Sequence, residues 1–233
     1  DAIQLLTDKA KNYKGITVAA LKVKYPQGGE KQLIKAVTGK EVPSGGLPIA
    51  VGAVVSNVGT AFAVYEAVQK NKPLFERVVT VTGKGIAKPS NFKVRIGTAT
   101  SELIEAAGGL PENSGKIISG GPMMGRSVVS LDVPVTKGTS GILIMQNEEA
   151  KRREYMECIR CSRCVSVCPM GLEPYLLMIF GQKQIFDRAE NERVMDCIEC
   201  GSCSYTCPSN RPILDYIRFG KAKVGQIIRT RKK

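Results

Sequence analysis

The sequence predicts three parts in series: an α/β segment, an α+β segment of β-grasp type, and a helical segment that carries every cysteine. Three observations predict this. The 233 residues contain eight cysteines and no histidine, and the first 157 residues are free of cysteine. The eight fall in two copies of one spacing, Cys158-x2-Cys161-x2-Cys164-x3-Cys168-Pro169 and Cys197-x2-Cys200-x2-Cys203-x3-Cys207-Pro208. Upstream, helix-like and strand-like patterns alternate, and their character changes after Pro73.

The first part, residues 1–73, opens with Ile3, Leu6, Ala10 and Tyr13 on one face of a short amphipathic helix. Ile16 to Val23 alternates and is β-branched, as a strand is. A turn at Tyr25–Glu30 leads into a helix over Lys31–Val37, closed by Gly39 at its C-terminal cap. Leu47–Ser56 reads as an apolar strand that runs through Asn57–Thr60 into a helix over Ala61–Gln69. In the second part, residues 74–147, Arg77–Thr82 and Phe92–Ile96 are strands around a Gly83-Lys84-Gly85 turn. Thr100 is placed to cap a helix with Glu102 and Glu105 near its start, stopped by Gly108-Gly109. Lys116–Ser119, Val128–Leu131 and Gly141–Met145 follow as strands. In the third part, residues 148–233, Tyr175–Phe186 and Ile213–Ile228 are helices, the first lying between the two cysteine motifs.

Thiolates at consecutive i, i+3 steps let one tight loop offer three sulfurs to a single iron–sulfur cube, while the fourth cysteine, ahead of proline, reaches the other cube. The predicted wiring is crossed. Cys158, Cys161, Cys164 and Cys207 hold one [4Fe–4S] cluster, and Cys197, Cys200, Cys203 and Cys168 hold the second. Zinc is the alternative, but zinc ribbons set two C-x2-C knuckles apart rather than packing three cysteines together. A disulfide framework belongs to short secreted chains.

Net charge is +13, with 18 basic and 12 acidic residues over 1–150 against 16 and 9 in the remainder. The excess suits acidic partners, lipid head groups or nucleic acid. Nucleic acid is disfavoured because the basic residues are not interleaved with aromatics. No run of about 18 apolar residues occurs, so no membrane span is predicted. The start, Asp1-Ala2-Ile3, reads like a chain cut from something longer.

Three glycine-bearing turns could approach a ligand: Gly28-Gly29-Glu30-Lys31, Ser44-Gly45-Gly46 and Gly120-Gly121-Pro122-Met123-Met124-Gly125. None is a nucleotide-binding signature by itself, and a plain turn is the simpler reading of each. The first would aim helix-start amides and Lys31 at an anion. Asn57 and Thr60 stand at a strand-to-helix junction, where open α/β sheets bind ligands.

Taken together, Tyr25–Leu33, Val42–Pro48, Asn57–Thr60, Gly120–Gly125 and the two cysteine motifs resemble the C subunit of the Rnf electron-transport complex. The resemblance implies a partial flavin- and NADH-binding domain similar to the flavin subunit of respiratory complex I, a soluble-ligand-binding β-grasp and a two-cluster ferredoxin module. It implies FMN fed by NADH as the electron source. Glu30 and Lys31, with Gly28 and Gly29, would then lie near nicotinamide and flavin, and Asn57 and Thr60 near the flavin. Its implied partners are the iron–sulfur B subunit, the membrane subunits and, indirectly, ferredoxin. Its implied location is the cytoplasmic face of the bacterial cell membrane. The family's glycine-rich loop for the FMN phosphate is absent here, so this stretch alone is expected neither to retain FMN nor to oxidise NADH. Alternatives are a cobalamin-reductase-like flavin and iron–sulfur protein of a microcompartment, a basic zinc protein that binds nucleic acid, and a passive docking scaffold.

Overall fold

A computed structural model describes residues 2–231. The chain divides between Val55 and Ser56 into two compact units.

The first unit contains helix α1 (Ala2–Ala10), helix α2 (Glu30–Thr38) and a 3₁₀ turn at Pro48–Val51. Gly39 stops α2 as expected: at φ 73° it takes the left-handed cap conformation, and its N–H donates to the Lys35 carbonyl. Ile34 is the buried side chain of α2. The strands expected at Ile16–Val23 and Leu47–Ser56 are not formed. No strand occurs among the described residues of this unit, so these β-branched runs have no ladder to join. β-Propensity measures fit to a paired, half-buried surface, and Val23, Ile49 and Val54 are instead exposed.

The second unit begins with helix α3 (Val58–Lys70), three residues longer at its start than expected. The Asn57 side chain accepts a hydrogen bond from the Gly59 N–H at 2.9 Å and so caps the helix. Lys72 follows, pairing with Glu66 at 3.1 Å and Glu76 at 3.2 Å, which ties the end of α3 to the sheet.

The sheet has five strands: β1 (Glu76–Thr82), β2 (Ser90–Arg95), β3 (Ser114–Ser119), β4 (Arg126–Val128) and β5 (Gly141–Gln146), in spatial order β2-β1-β5-β3-β4. Only the β1–β5 pair is parallel, with Val81 opposite Ile142. β1–β2, β3–β5 and β3–β4 are antiparallel. Helix α4 (Thr100–Ala106) crosses the sheet. Its core joins Val79, Val81, Leu103, Ile104, Ile142 and Ile144, all buried. Thr100 is the first helical residue rather than the cap. Its hydroxyl donates to the Val133 carbonyl at 2.7 Å, while the Glu102 carboxylate accepts from the Ala99 N–H at 3.2 Å.

After the short helix α5 (Asn147–Ala150) come α6 (Arg163–Ser166), α7 (Pro174–Gln182), α8 (Phe186–Asn191), α9 (Ser202–Tyr205) and α10 (Ile213–Arg231). Helix α7 packs along α10 so closely that a Cβ on Gly181 would stand 2.3 Å from the Tyr216 carbonyl oxygen. Leu177, Met178, Ile213, Ile217 and Val224 form a second core, distinct from that of the sheet. Helix α10 extends past its expected end: Arg231 is helical and pairs with Glu190 at 2.9 Å.

Candidate metal centre

Each cysteine motif folds into the same loop. Arg160 and Glu199, two residues past the first cysteine of each motif, are left-handed at φ 53° and 57°. Ser162 and Gly201, two residues further, are left-handed at 59° and 81°, and Gly171 and Asn210, three past the last cysteine, at 62° and 49°. The one-turn helices α6 and α9 start one residue after Ser162 and Gly201 and carry the third cysteine of each motif. The internal repeat is therefore conformational as well as sequential. Left-handed residues recurring in a short loop let backbone N–H groups converge on an anionic group. The Glu199 N–H donates to Cys197 Sγ and the Leu172 N–H to Cys168 Sγ, each at 3.4 Å.

The structure sorts the eight cysteines into two cavities. Cys158, Cys161 and Cys164 line one together with Cys207, closed by Tyr175, Met178, Ile179 and Ile213. Cys197, Cys200 and Cys203 line the other together with Cys168, Leu172, Leu177, Leu214 and Ile217. Each cavity takes three sulfurs from one motif and the last sulfur from the other. The two differ in exposure: Cys158 and Cys161 are exposed, whereas Cys200 and Cys203 are buried.

Charge and burial follow the same grouping. Burial pushes the Cys203 thiol up to about 12, and neighbouring Cys197, Cys200 and Cys168 add to the rise. Burial also raises Cys197, opposed by the Glu199 N–H and by Lys221, with Cys168 and Cys200 raising it further. Cys164 is raised by burial, partly offset by backbone N–H groups, with a contribution from Cys207. Thiols held neutral in this way must release protons when they bind iron.

These donors fit a multi-iron cluster better than a single ion. Among the described residues no three Cys, Asp or Glu side chains converge tightly enough to share one metal ion. Zinc requires four thiolates about 2.3 Å from a single point. Sulfurs spread around the wall of a cavity suit a cube whose four irons are each met by one cysteine.

Sequence reading missed the charged brace behind the second loop. Glu199 is held by Arg218 at 3.1 Å and Lys221 at 3.2 Å, and Lys221 also donates to the Cys197 carbonyl. Arg218 Nη2 donates to the Met124 carbonyl at 3.1 Å, bringing in the β3–β4 turn at Gly120–Gly125. That turn, singled out in the sequence as a ligand-approaching loop, leans on the second cysteine loop: a Cβ on Gly201 would lie 2.9 Å from the Met123 carbonyl oxygen. Arg218 stands five positions into a helix evident from sequence, but its partners are distant in the chain and no local pattern announces them.

The remaining sequence-selected residues fall in different units. Gly28 and Gly29 lead into the start of α2 at Glu30 and Lys31, where Gly29 is extended and supplies no side-chain cap. Lys31 Nζ reaches the Pro43 carbonyl at 3.5 Å. Asn57 and Thr60 open α3 in the other unit, where the Asn57 carbonyl oxygen already accepts from Thr60 and its side chain from Gly59. Ser44-Gly45-Gly46 is a plain turn, with the Gly46 N–H donating to Pro43.

Comparison with known proteins joins these parts. Residues 1–66 match the Nuo51 FMN-binding domain, 78–127 the SLBB domain and 150–208 the 4Fe–4S dicluster domain. The C subunit of a proton-translocating ferredoxin:NAD(+) oxidoreductase complex from Clostridium ljungdahlii is 51% identical over 209 residues, 89% of this chain. Over most of its length the chain is similar to the C subunits of ion-translocating ferredoxin:NAD(+) oxidoreductase complexes. A second such subunit, from the Na(+)-translocating complex of Acetobacterium woodii, is 46% identical over 96% of the chain. A third, the C subunit of an ion-translocating oxidoreductase complex from Yersinia enterocolitica, is 43% identical over 96%. The chain spans 46%, 51% and 32% of the length of these three relatives. The cysteine-bearing segment matches a dicluster domain, and its eight thiols suit two [4Fe–4S] clusters. Among the described residues no helix is long and apolar enough to cross a membrane.

Proposed function

We propose that this chain is the iron–sulfur electron-transfer portion of an Rnf C subunit, working in a membrane-associated, ion-translocating ferredoxin:NAD+ oxidoreductase complex. The sorting of cysteines into two crossed sets, in a chain that also matches an FMN-binding domain, carries this reading. When bound, two [4Fe–4S] clusters supply single-electron steps between a two-electron NADH–flavin donor and one-electron acceptors. The proposed ligands are Cys158, Cys161, Cys164 and Cys207 for one and Cys197, Cys200, Cys203 and Cys168 for the other.

The protein's own groups set the surroundings. The Glu199 and Leu172 N–H groups donate to ligand sulfurs and Lys221 sets a positive charge beside Cys197, all favouring the more negative state. Leu177 and Ile217 exclude water from the second cavity. At the other end, the uncapped start of α2 with Gly28, Gly29, Glu30 and Lys31 is proposed to meet the flavin and nicotinamide, and Asn57 and Thr60 to stand near the flavin.

The domain limits proposed are 1–73, 74–147 and 148–233, supported by one family match falling mainly in each. The proposed partners are the iron–sulfur B subunit and the membrane subunits, with ferredoxin reached through them, at the cytoplasmic face of the cell membrane. Anaerobic EPR with iron and sulfide counts tests the core of this reading. About eight irons and two interacting reduced signals are expected from eight-thiolate ligation. Stoichiometric zinc, or a single cluster, would overturn it.

A further inference from the structure

A broad groove lies on the second unit, between the β3–β4 edge of the sheet and the start of α10. Its lining includes Lys116, Arg126, Lys151, Arg153, Tyr155 and Tyr205. Strand β4 is an edge of the sheet. The two carboxylates in the groove are already engaged, Glu149 by Lys84 and Asp215 by Arg152 at 2.6 Å. Arg126, Lys151 and Arg153 are exposed and have no ion-pair partner among the described residues. Uncompensated positive charge therefore lines one side of a concave surface.

Its walls are shared with the thiolate cavities. Gly201 and Leu214 line both the groove and the second cavity, and Arg211 lines both the groove and the first. An occupant of the groove would stand one residue's thickness from the second set of cysteines. Exposed Tyr205, at 83% relative exposure, sits two residues past Cys203.

We propose that this groove docks a carboxylate-bearing segment of the protein that exchanges electrons with the second cluster. The proposal rests on the electron-transfer reading above. Charge complementarity selects the occupant: arginines and a lysine meet carboxylates, and steering by such a field speeds encounter between redox partners. Composition favours a protein over other polyanions. Arg and Tyr together with Met123, Pro122 and Leu214 in the lining are the mixture of charged, aromatic and apolar groups typical of protein–protein contacts. A lipid surface would meet a flat basic face rather than a groove.

The test couples a synthetic glutamate-rich peptide to the cluster-loaded protein with a carbodiimide, which joins carboxylates to lysine amines, and maps the adducts by mass spectrometry. Fluorescence anisotropy measures the affinity of the same peptide. Adducts are expected to concentrate on Lys151 and Lys116. The R126E/K151E/R153E variant should bind at least about tenfold more weakly, while K9E/K22E/K24E, with equal charge change elsewhere, should not. Adducts spread over lysines by exposure, or equal loss in both variants, would overturn the proposal. So would tighter binding of single-stranded DNA or of anionic phosphatidylglycerol vesicles to the same residues. Iron content and EPR of the same sample report on the electron-transfer reading separately: absent clusters with intact peptide binding would remove the redox role and leave the docking surface.

Discussion

Arg218 Nε lies 3.1 Å from the Glu199 carboxylate, and the same guanidinium donates through Nη2 to the Met124 carbonyl at 3.1 Å. Both side chains are about a quarter exposed, 28% each. One helical arginine thus braces the second cysteine loop and the β3–β4 turn together. Replacing it by methionine keeps much of the stem and removes the fork. Partly buried, charge-assisted hydrogen bonds contribute about 1–3 kcal/mol, so Arg218→Met should lower stability by about 1–2 kcal/mol in anaerobic thermal unfolding. In a double-mutant cycle, Arg218→Met and Glu199→Gln should be strongly non-additive. Simple additivity would mean the two residues act apart.

The crossed grouping of sulfurs makes a second prediction. Cys207→Ser should abolish the cluster for which Cys158, Cys161 and Cys164 supply the other sulfurs, although it stands in the second motif. Cys168→Ser should likewise damage the cluster of the second motif. Each variant should retain about four of about eight irons, and the surviving EPR signals of the two should differ. If Cys168→Ser instead removes the signal that Cys158→Ser removes, each motif holds its own cluster.

Two glycines on facing helices should answer alanine in opposite ways. At Gly181 the new methyl would meet the Tyr216 carbonyl oxygen at 2.3 Å, so α7 and α10 must part. Overpacking of this kind costs about 1–3 kcal/mol. At Gly220 the nearest foreign atom is Gly181 Cα at 3.5 Å, an ordinary contact. There the helix propensity of alanine should dominate, leaving stability unchanged or raised by up to about 1 kcal/mol. Chemical denaturation of the cluster-loaded protein compares the two, and equal effects would show that the helices are not closely packed here.

Legibility in the sequence followed the range of the interactions. The repeat of the two cysteine loops could be read because one spacing, copied twice, folds into one loop geometry twice. Gly39 as a helix stop was legible because only a residue tolerant of φ 73° fits there. Strands β1, β2, β3 and β5 were legible close to their expected places, whereas the run Val128–Leu131 was not: the strand there is Arg126–Val128, set by its pairing with β3. Ile16–Val23 and Leu47–Ser56 misled because a strand exists only when a neighbour completes its ladder. Thr100 misled differently: its hydroxyl turns to the Val133 carbonyl, 33 residues away, and leaves the capping role to its neighbours. The Arg218 brace and the basic groove were invisible for the same reason, since their members come together only once β3, β4 and α10 are placed.

Removal of iron should separate the two cores of the second unit. The sulfurs of Cys164, Cys168, Cys197 and Cys207 pack against the core of Leu177, Met178 and Ile217, with Cys203 inside it. The sheet core of Val79, Val81, Ile104 and Ile144 contains no cysteine. Loss of the clusters leaves two cavities beneath α7 and α10, and binding energy that stabilised the folded form is withdrawn. Hydrogen exchange after anaerobic chelation should therefore show amides of α7, α9 and α10 losing protection by about a hundredfold or more, as a cooperative local unit does. Amides of β1, β3 and β5 should change little. The Gly120–Gly125 turn should exchange faster than the rest of the sheet, because Arg218 and Gly201 support it from the cysteine-bearing side. Uniform loss of protection across the sheet would mean that the two cores fold as one.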